Sequence, residues 1–336
     1  MELCQVAQAG RYHPGMTSQS LAVVVAAYNE ADVLPALHAR LQKVFDALAM
    51  PCRVLYVDDG SRDGTWAAMR ALAEADPRVS LLRLSRNFGK ELALTAGLDL
   101  VDADAVLVLD ADGQDPPELI PEFVAKWQEG FDVVFGTRSA RPGETWLKRA
   151  TAAAFYRVMN RLADTAIPAD TGDFRLMSRR VVEALRSLRE RQRFMKGLFA
   201  WVGYPQTSIA YQHQPRIAGS SKFNYWRLWN FALEGITGFS TAPLRAATYV
   251  GFAAATFAFA YGTWIVAKTL LWGEPVQGWP TLMAVVLFLG GVQLIALGVI
   301  GEYLGRLYLE SKQRPLYLVQ EWQPARGMEA GGRREA

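Results

Sequence analysis

Hydrophobic and polar positions divide this chain into two stretches of opposite character. From residue 21 to about residue 215, short apolar, β-branched runs alternate with segments of helical periodicity. The runs are Leu21–Ala26, Val54–Val57, Val79–Leu84, Ala105–Leu109 and Asp132–Phe135; the periodic segments are Ala31–Leu48, Thr65–Ala75, Lys90–Leu100 and Pro117–Glu129. Such alternation predicts βαβ units around a mostly parallel sheet, with functional groups at the carboxyl ends of the strands.

From Ala246 to Gly301 the alternation gives way to an almost unbroken apolar run, in which Lys268 and Glu274 are the only charged residues. The breaker-rich segment Trp272–Pro280 splits it into residues 246–271 and 281–300. At about 1.5 Å per residue either piece can cross a hydrocarbon core of about 30 Å, the first with some tilt. A pair of buried helices in a soluble core is the alternative, and the long uncharged runs argue against it. Lys222, Arg227 and Arg245 precede the two segments and Arg306, Lys312 and Arg314 follow, whereas the linker has no Lys or Arg. That bias predicts a hairpin with both termini and the polar domain on the cytoplasmic side. Just upstream, Tyr225, Leu228, Trp229, Ala232, Leu233, Ile236 and Phe239 recur at helical spacing. Residues 224–243 therefore read as an amphipathic helix, lying in the interface or packed on the polar domain. Residues 1–20 and those from Arg326 onward read as tails, and no signal-peptide pattern precedes residue 20.

Composition sharpens this division. A hydrophobic content of 51% excludes disorder for most of the chain, and 36 Lys plus Arg against 33 Asp plus Glu leave no broad basic field for nucleic acid. Two cysteines and three histidines cannot build a disulfide framework or a zinc site.

The polar clusters follow the strands. Ala26-Ala-Tyr28-Asn29-Glu30 contains no glycine-rich turn, which removes dinucleotide-binding and P-loop readings. Asp58-Asp59-Gly60-Ser61-Arg62-Asp63-Gly64-Thr65 offers a carboxylate to a nucleobase N–H or a ribose hydroxyl, or is an ordinary turn capping a helix. In Asp110-Ala-Asp112-Gly-Gln114, extended backbone would aim residues 110, 112 and 114 to one side. Two carboxylates and an amide oxygen suit Mg²⁺ or Mn²⁺ completed by a substrate diphosphate; a solvated turn is the alternative. Arg179, Arg180, Arg186, Arg189, Arg191 and Arg193 read as a solvated helix face or a lipid-headgroup contact.

In this order the motifs resemble the cytosolic catalytic domain of family 2 glycosyltransferases, which has the α/β GT-A fold. Thr171-Gly-Asp173-Phe-Arg175-Leu176, Arg216-x-x-Gly219-x-Ser221-Lys222-Phe223, the two apolar segments and Gly301-Glu-Tyr-Leu-Gly-Arg306 narrow the resemblance. They look like the polyprenyl-phosphate glycosyltransferases, most similar to bacterial undecaprenyl-phosphate (bactoprenol) glucosyltransferases, with dolichyl-phosphate mannose synthases as relatives. The resemblance spans residues 21 to about 322. It implies a GT-A domain over residues 21–223, a membrane hairpin within 244–302 and a C-terminal segment over 303–336.

Carried onto this sequence, the resemblance implies that Tyr28, Glu30, Val57 and Asp59 hold the nucleoside and that Asp110, Asp112 and Gln114 bind Mg²⁺ or Mn²⁺. Arg138 would contact the diphosphate or sugar; Arg216, Ser221 and Lys222 would grip phosphate. Asp173, Asp112 and Arg138 form the implied catalytic set. Ser85-Arg-Asn-Phe-Gly-Lys90 also follows the family pattern without an assigned role, and Ala26 stands where many relatives have proline. The implied reaction is inverting transfer of a hexose, glucose first, from a UDP-sugar to undecaprenyl phosphate; GDP-mannose or an amino-sugar donor, and a silent sugar-nucleotide or lipid-carrier binding protein, are the alternatives. A phosphate monoester is largely dianionic at pH 7 and needs no strong base, so Asp173 reads first as a positioning group for sugar or acceptor. The implied setting is the bacterial inner membrane, with a homo-oligomer whose glycolipid product passes to a flippase or a lumenal glycosyltransferase. A processive polysaccharide synthase would need a Gln-x-x-Arg-Trp motif, which Gln192-Arg193-Phe194 does not supply.

Overall fold

The computed structural model describes residues 19–139, 171–191, 193, 195–212, 242–272 and 278–326. Among them, strands β1 (Leu21–Ala27), β2 (Cys52–Asp58), β3 (Val79–Leu84), β4 (Ala105–Asp110), β5 (Val133–Ser139), β6 (Thr171–Ser178), β7 (Gln206–Gln212) and β8 (Val319–Gln323) form one sheet. Its order is β7-β5-β6-β4-β1-β2-β3-β8. The first four strands are parallel, as are β5 and β7, whereas β6 runs antiparallel to β4 and β5, and β8 antiparallel to β3. The sheet is thus mixed around a parallel centre.

Helices α1 (Leu34–Ala47), α2 (Thr65–Ala75), α3 (Lys90–Leu100), α4 (Ile120–Gln128), α5 (Arg179–Ser187) and α6 (Met195–Trp201) cover both faces. Successive residues of β1 serve opposite cores. Val23 and Val25 pack with Leu37, Leu41, Met69 and Phe123 of α1, α2 and α4; Ala22 and Val24 pack with Leu94, Val182 and Leu198 of α3, α5 and α6. Burial on both faces is why these strands are continuous apolar runs rather than alternating ones. Helix α3 lies very close to the sheet: a Cβ on Gly97 would fall 2.4 Å from Val24 Cγ1. The expected helix at Pro117 begins as a 3₁₀ turn, Pro117–Leu119, before α4. Pro121 has no amide hydrogen for an α-type bond back to Pro117.

The apolar segments form α7 (Ala242–Trp272) and α8 (Trp279–Ser311), which lie against one another. Both are long and apolar enough to cross a membrane, and their apolar stretches are not buried within the protein. Helix α8 continues past its apolar part for about another 15 Å, at about 1.5 Å per residue, supported by an Arg306–Glu302 ion pair at 2.8 Å. Near its end the Glu310 carboxylate accepts from the Arg191 amide at 3.1 Å. The chain then turns back onto the sheet. Leu318 O accepts from the Ser85 amide, the Ala325 amide donates to Ser80 Oγ, and the Arg326 amide donates to Pro77 O. Residues 317–326 therefore extend the sheet and cover the edge that β3 would otherwise leave open. Of the tails expected over residues 1–20 and from Arg326 onward, 1–18 and 327–336 lie outside the described residues, whereas Ser20 hydrogen-bonds Asp104 and Arg326 hydrogen-bonds Pro77. Of the amphipathic helix expected over 224–243, residues 224–241 lie outside them and 242–243 open α7.

Candidate active site

The loops after β1 and β2 are stitched together. Ser61 Oγ accepts from the Asn29 amide (3.0 Å), Asn29 Oδ1 from the Arg62 amide (2.9 Å), and Thr65 Oγ1 from the Glu30 amide (2.9 Å). Asn29 adopts φ 56°, a left-handed conformation that asparagine tolerates better than most residues. This frame leaves the Tyr28 side chain 38% exposed at the mouth of the site. The Val57 side chain, by contrast, is fully buried against α3, so any contact it makes with a ligand runs through its backbone.

Asp58 ends β2 and Asp59 follows it, with different tasks. Asp58 is wholly buried; its Oδ1 accepts from the Ser61 amide at 2.9 Å and its Oδ2 lies 3.2 Å from Arg83 Nε. Asp59 reaches the neighbouring loop, where Oδ1 accepts from the Phe88 amide (2.7 Å) and Oδ2 from the Gly89 amide (2.9 Å). Burial raises the Asp59 carboxyl above its ordinary value, outweighing those two bonds. Gly60, next in the chain, has φ 67°, and a Cβ there would fall 2.4 Å from the carbonyl carbon of Arg86. Only glycine lets the two loops meet this closely.

That second loop delivers Lys90. Strands β4 and β6 pair Val108 with Arg175, and the same antiparallel register two residues on sets Asp110 across from Asp173. Like charges facing across a strand pair destabilise it. The Lys90 ammonium resolves the conflict, lying 2.6 Å from Asp110 Oδ1 and 2.5 Å from Asp173 Oδ2. Burial favours the uncharged lysine, but the two carboxylates outweigh it and raise the Lys90 value well above the ordinary one. Burial likewise works against an ionised Asp173, and Lys90 overcomes it, holding the carboxyl below the usual range. Asp173 Oδ1 is buried without a hydrogen-bond partner among the described residues.

Around this centre, burial first and then Asp173 push the Glu91 carboxyl up to about 7; its Oε2 accepts from the Met195 amide at 3.1 Å. Arg175 donates to Gly172 O at 3.0 Å and stacks on Phe199, its guanidinium carbon 3.7 Å from the ring centre; burial lowers its value to about 10.

Past Asp110 the backbone departs from the predicted extended form. Strand β4 ends there, Gly113 has φ 70°, and Asp112 Oδ1 accepts from the Gln114 amide at 3.1 Å, so residues 111–114 make a turn. The residue beyond, Asp115, accepts a 2.5 Å hydrogen bond from the Tyr211 hydroxyl of β7. No group of three or more His, Cys, Asp or Glu side chains gathers around a common point among the described residues. What the site does hold is the Asp110 carboxylate, with Asp112 and Gln114 in the turn that follows it and a second carboxylate, Asp173, on the same lysine: oxygen donors of the hard type that fits a divalent cation completed by water or phosphate.

Arg138 lies near the end of β5, with its side chain outside the described residues, as are Arg216, Ser221 and Lys222. Lys90 received no role from the sequence. Its signal was a lysine at the first position of a helix, where the helix dipole disfavours a cation unless anions hold it. Four members of the arginine cluster are tied to the domain, while Arg179, Arg180 and Arg189 remain exposed, as a solvated helix face would be. Arg179 pairs with Asp102, Arg180 with Asp132 and Arg189 with Asp99, while Arg186 donates to the carbonyls of Leu98 and Val101 at the end of α3.

Comparison with known proteins agrees with this architecture. The family model described as glycosyl transferase family 2 matches residues 22–186, and that described as the GtrB C-terminal hairpin matches residues 242–307. An uncharacterized glycosyltransferase of Synechocystis is 52% identical, covering 90% of this chain and 95% of its own. The bactoprenol glucosyl transferase of Shigella phage SfV is 47% identical, covering 89% of this chain and 98% of its own. A crystal structure of glucosyl-3-phosphoglycerate synthase from Mycobacterium tuberculosis, in complex with Mn²⁺, UDP-glucose and phosphoglyceric acid, aligns with a TM-score of 0.44 at 17% identity, covering 67% of this chain and 83% of that one. The chain belongs to the family 2 glycosyltransferases, an enzyme with a GT-A catalytic domain joined to a C-terminal hairpin of two apolar helices.

Proposed function

We propose that this enzyme transfers a hexose, glucose in the first instance, from a UDP-sugar to undecaprenyl phosphate, inverting the anomeric configuration at the cytoplasmic face of the bacterial inner membrane. The observation that carries the reading is the Asp110–Asp173 pair, set at the carboxyl edge of the sheet's parallel centre in a domain covalently tied to an unburied apolar hairpin. Such a site meets a water-soluble donor from one side and a lipid phosphate from the other. The bactoprenol glucosyl transferases that resemble the chain over nine-tenths of its length support glucose and the lipid carrier.

Asp110, Asp112 and Gln114 would hold Mg²⁺ or Mn²⁺, which neutralises charge building on the departing diphosphate. Tyr28, Glu30 and the backbone of Val57 would hold the nucleoside, with Asp59 acting through the loop it fixes. Asp173 orients the sugar or the acceptor. The lipid phosphate, already largely dianionic at neutral pH, is the nucleophile, and in-line attack on the anomeric carbon converts an α donor linkage to β. Arg138 serves the diphosphate, and Arg216, Ser221 and Lys222 the phosphate of the acceptor.

The full-length protein, incubated with undecaprenyl phosphate, Mn²⁺ or Mg²⁺ and UDP-glucose, is expected to release UDP and form a glycolipid detectable by mass spectrometry. Asp112→Ala is expected to abolish it. Undiminished turnover in EDTA removes the metal from the proposal; turnover with GDP-mannose or a UDP-amino sugar and none with UDP-glucose replaces the donor.

A further inference from the structure

Lys90 is a charged side chain at the centre of the site to which neither the sequence motifs nor the reaction just proposed assign a task. Its placement runs against local preference: it opens α3 at the end where the helix dipole repels cations, directly after Gly89 at φ 98°. The loop bringing it there is held from outside, by Asp59 through the Phe88 and Gly89 amides and by the close approach of Gly60 to Arg86. The outcome is one ammonium within 2.6 Å of Asp110 and 2.5 Å of Asp173. These are an implied metal ligand and the carboxylate facing it across the strand pair.

We propose that Lys90 is a built-in counter-cation that holds Asp110 and Asp173 in register before the divalent ion binds and then competes with that ion for Asp110. The inference rests on the metal-dependent reading above. Two carboxylates this close need a positive partner, and the side chain of a lysine can leave without disturbing the backbone that positions it. When a divalent ion engages Asp110, Lys90 gives up that contact and keeps Asp173, so the carboxylate facing the sugar stays oriented through the exchange. Part of the ion's binding free energy is then spent displacing Lys90, which sets the apparent metal affinity below that of the bare carboxylates. Lys90 is a positioning residue in this account: it acts on the substrate through Asp173.

The test measures Mn²⁺ binding to full-length protein in detergent, by titration calorimetry or by electron paramagnetic resonance of free Mn²⁺, alongside thermal unfolding in EDTA and in Mn²⁺. Lys90→Met should bind Mn²⁺ about ten-fold more tightly than the parent. It should also unfold at a lower temperature in EDTA, recover that loss on Mn²⁺ addition, and turn over more slowly. Lys90→Arg should restore parental Mn²⁺ affinity. A variant that is merely damaged would lose stability and metal affinity together. Parental binding with equal or weaker binding by Lys90→Met overturns the inference and leaves metal dependence standing; absence of Mn²⁺ binding in both parent and variant overturns the two together.

Discussion

The carboxylate of Asp59, at the end of β2, accepts the backbone amide of Gly89 at 2.9 Å, one residue before Lys90. Through that bond, and its twin from Phe88, one acidic motif controls where the cation of a second motif sits. Asp59→Ala leaves two part-buried amides without their acceptor, a loss of about 1–3 kcal/mol. A lower unfolding temperature is expected together with a fall in turnover resembling that of Lys90→Met. Asp59→Asn, which keeps one acceptor oxygen, should lie between the two. Unfolding monitored alongside glycolipid formation checks both.

Far from the site, Asp76 is buried and accepts from the Arg78 guanidinium, the Arg78 amide and Gln42. Burial alone would raise its carboxyl, but these bonds prevail and hold it at about 2. Beside it, burial lowers the His38 imidazole. Both groups bind protons less readily folded than unfolded, so both act in the same direction. Stability from His38 fades as pH falls below about 6.5, and that from Asp76 as pH falls from about 4 toward 2. Unfolding temperatures between pH 3 and 7 should drop on the acid side, and Asp76→Asn should flatten the lower part of that drop.

Arg186 serves the C-terminal carbonyls of α3, at Leu98 and Val101. Arg186→Met should therefore cost about 1–3 kcal/mol of stability, the range for charged hydrogen bonds to buried acceptors. Its binding to vesicles containing anionic lipid should match the parent's. A variant of parental stability with weakened vesicle binding would instead favour the headgroup contact, one of the two readings the sequence left open for this cluster.

Strand β8 closes the β3 edge, and Leu318 just before it holds Ser85, the first residue of the loop that carries Lys90. Ending the chain after Leu316 should lower the unfolding temperature, promote aggregation through the opened edge, and raise the donor concentration needed for half-maximal turnover. Measurements in the same detergent as the parent separate this from any effect on the hairpin.

The strands β1 to β4, helices α2 and α3, and the two apolar helices were legible because each depends on local pattern: an apolar run long enough for a strand, a period near 3.6, or a span empty of charge. The antiparallel placement of β6 and β8 was not. The residues of Thr171–Ser178 carry no mark of direction, and Val319–Gln323 is a polar, exposed strand whose partner lies more than 200 positions earlier. The extended reading of Asp110–Gln114 failed for a related reason. Alternation was projected past the end of the strand, whereas Gly113 and the Asp112 side chain favour a turn.

By itself, the sequence determined the chemistry available to this protein: acidic residues at strand ends, a family pattern of motifs, and a hairpin too apolar for anything but a membrane or a buried core. Those properties belong to neighbours in the chain and are written in composition and spacing. The tertiary structure alone decided which charges meet. Asp110 faces Asp173 only because β6 enters the sheet antiparallel to β4, and Lys90 reaches both only because Asp59 and Gly60 draw its loop inward. Electrostatic interactions are set by distances of a few ångströms through space, and separations of 20 and 83 residues along the chain do not encode them.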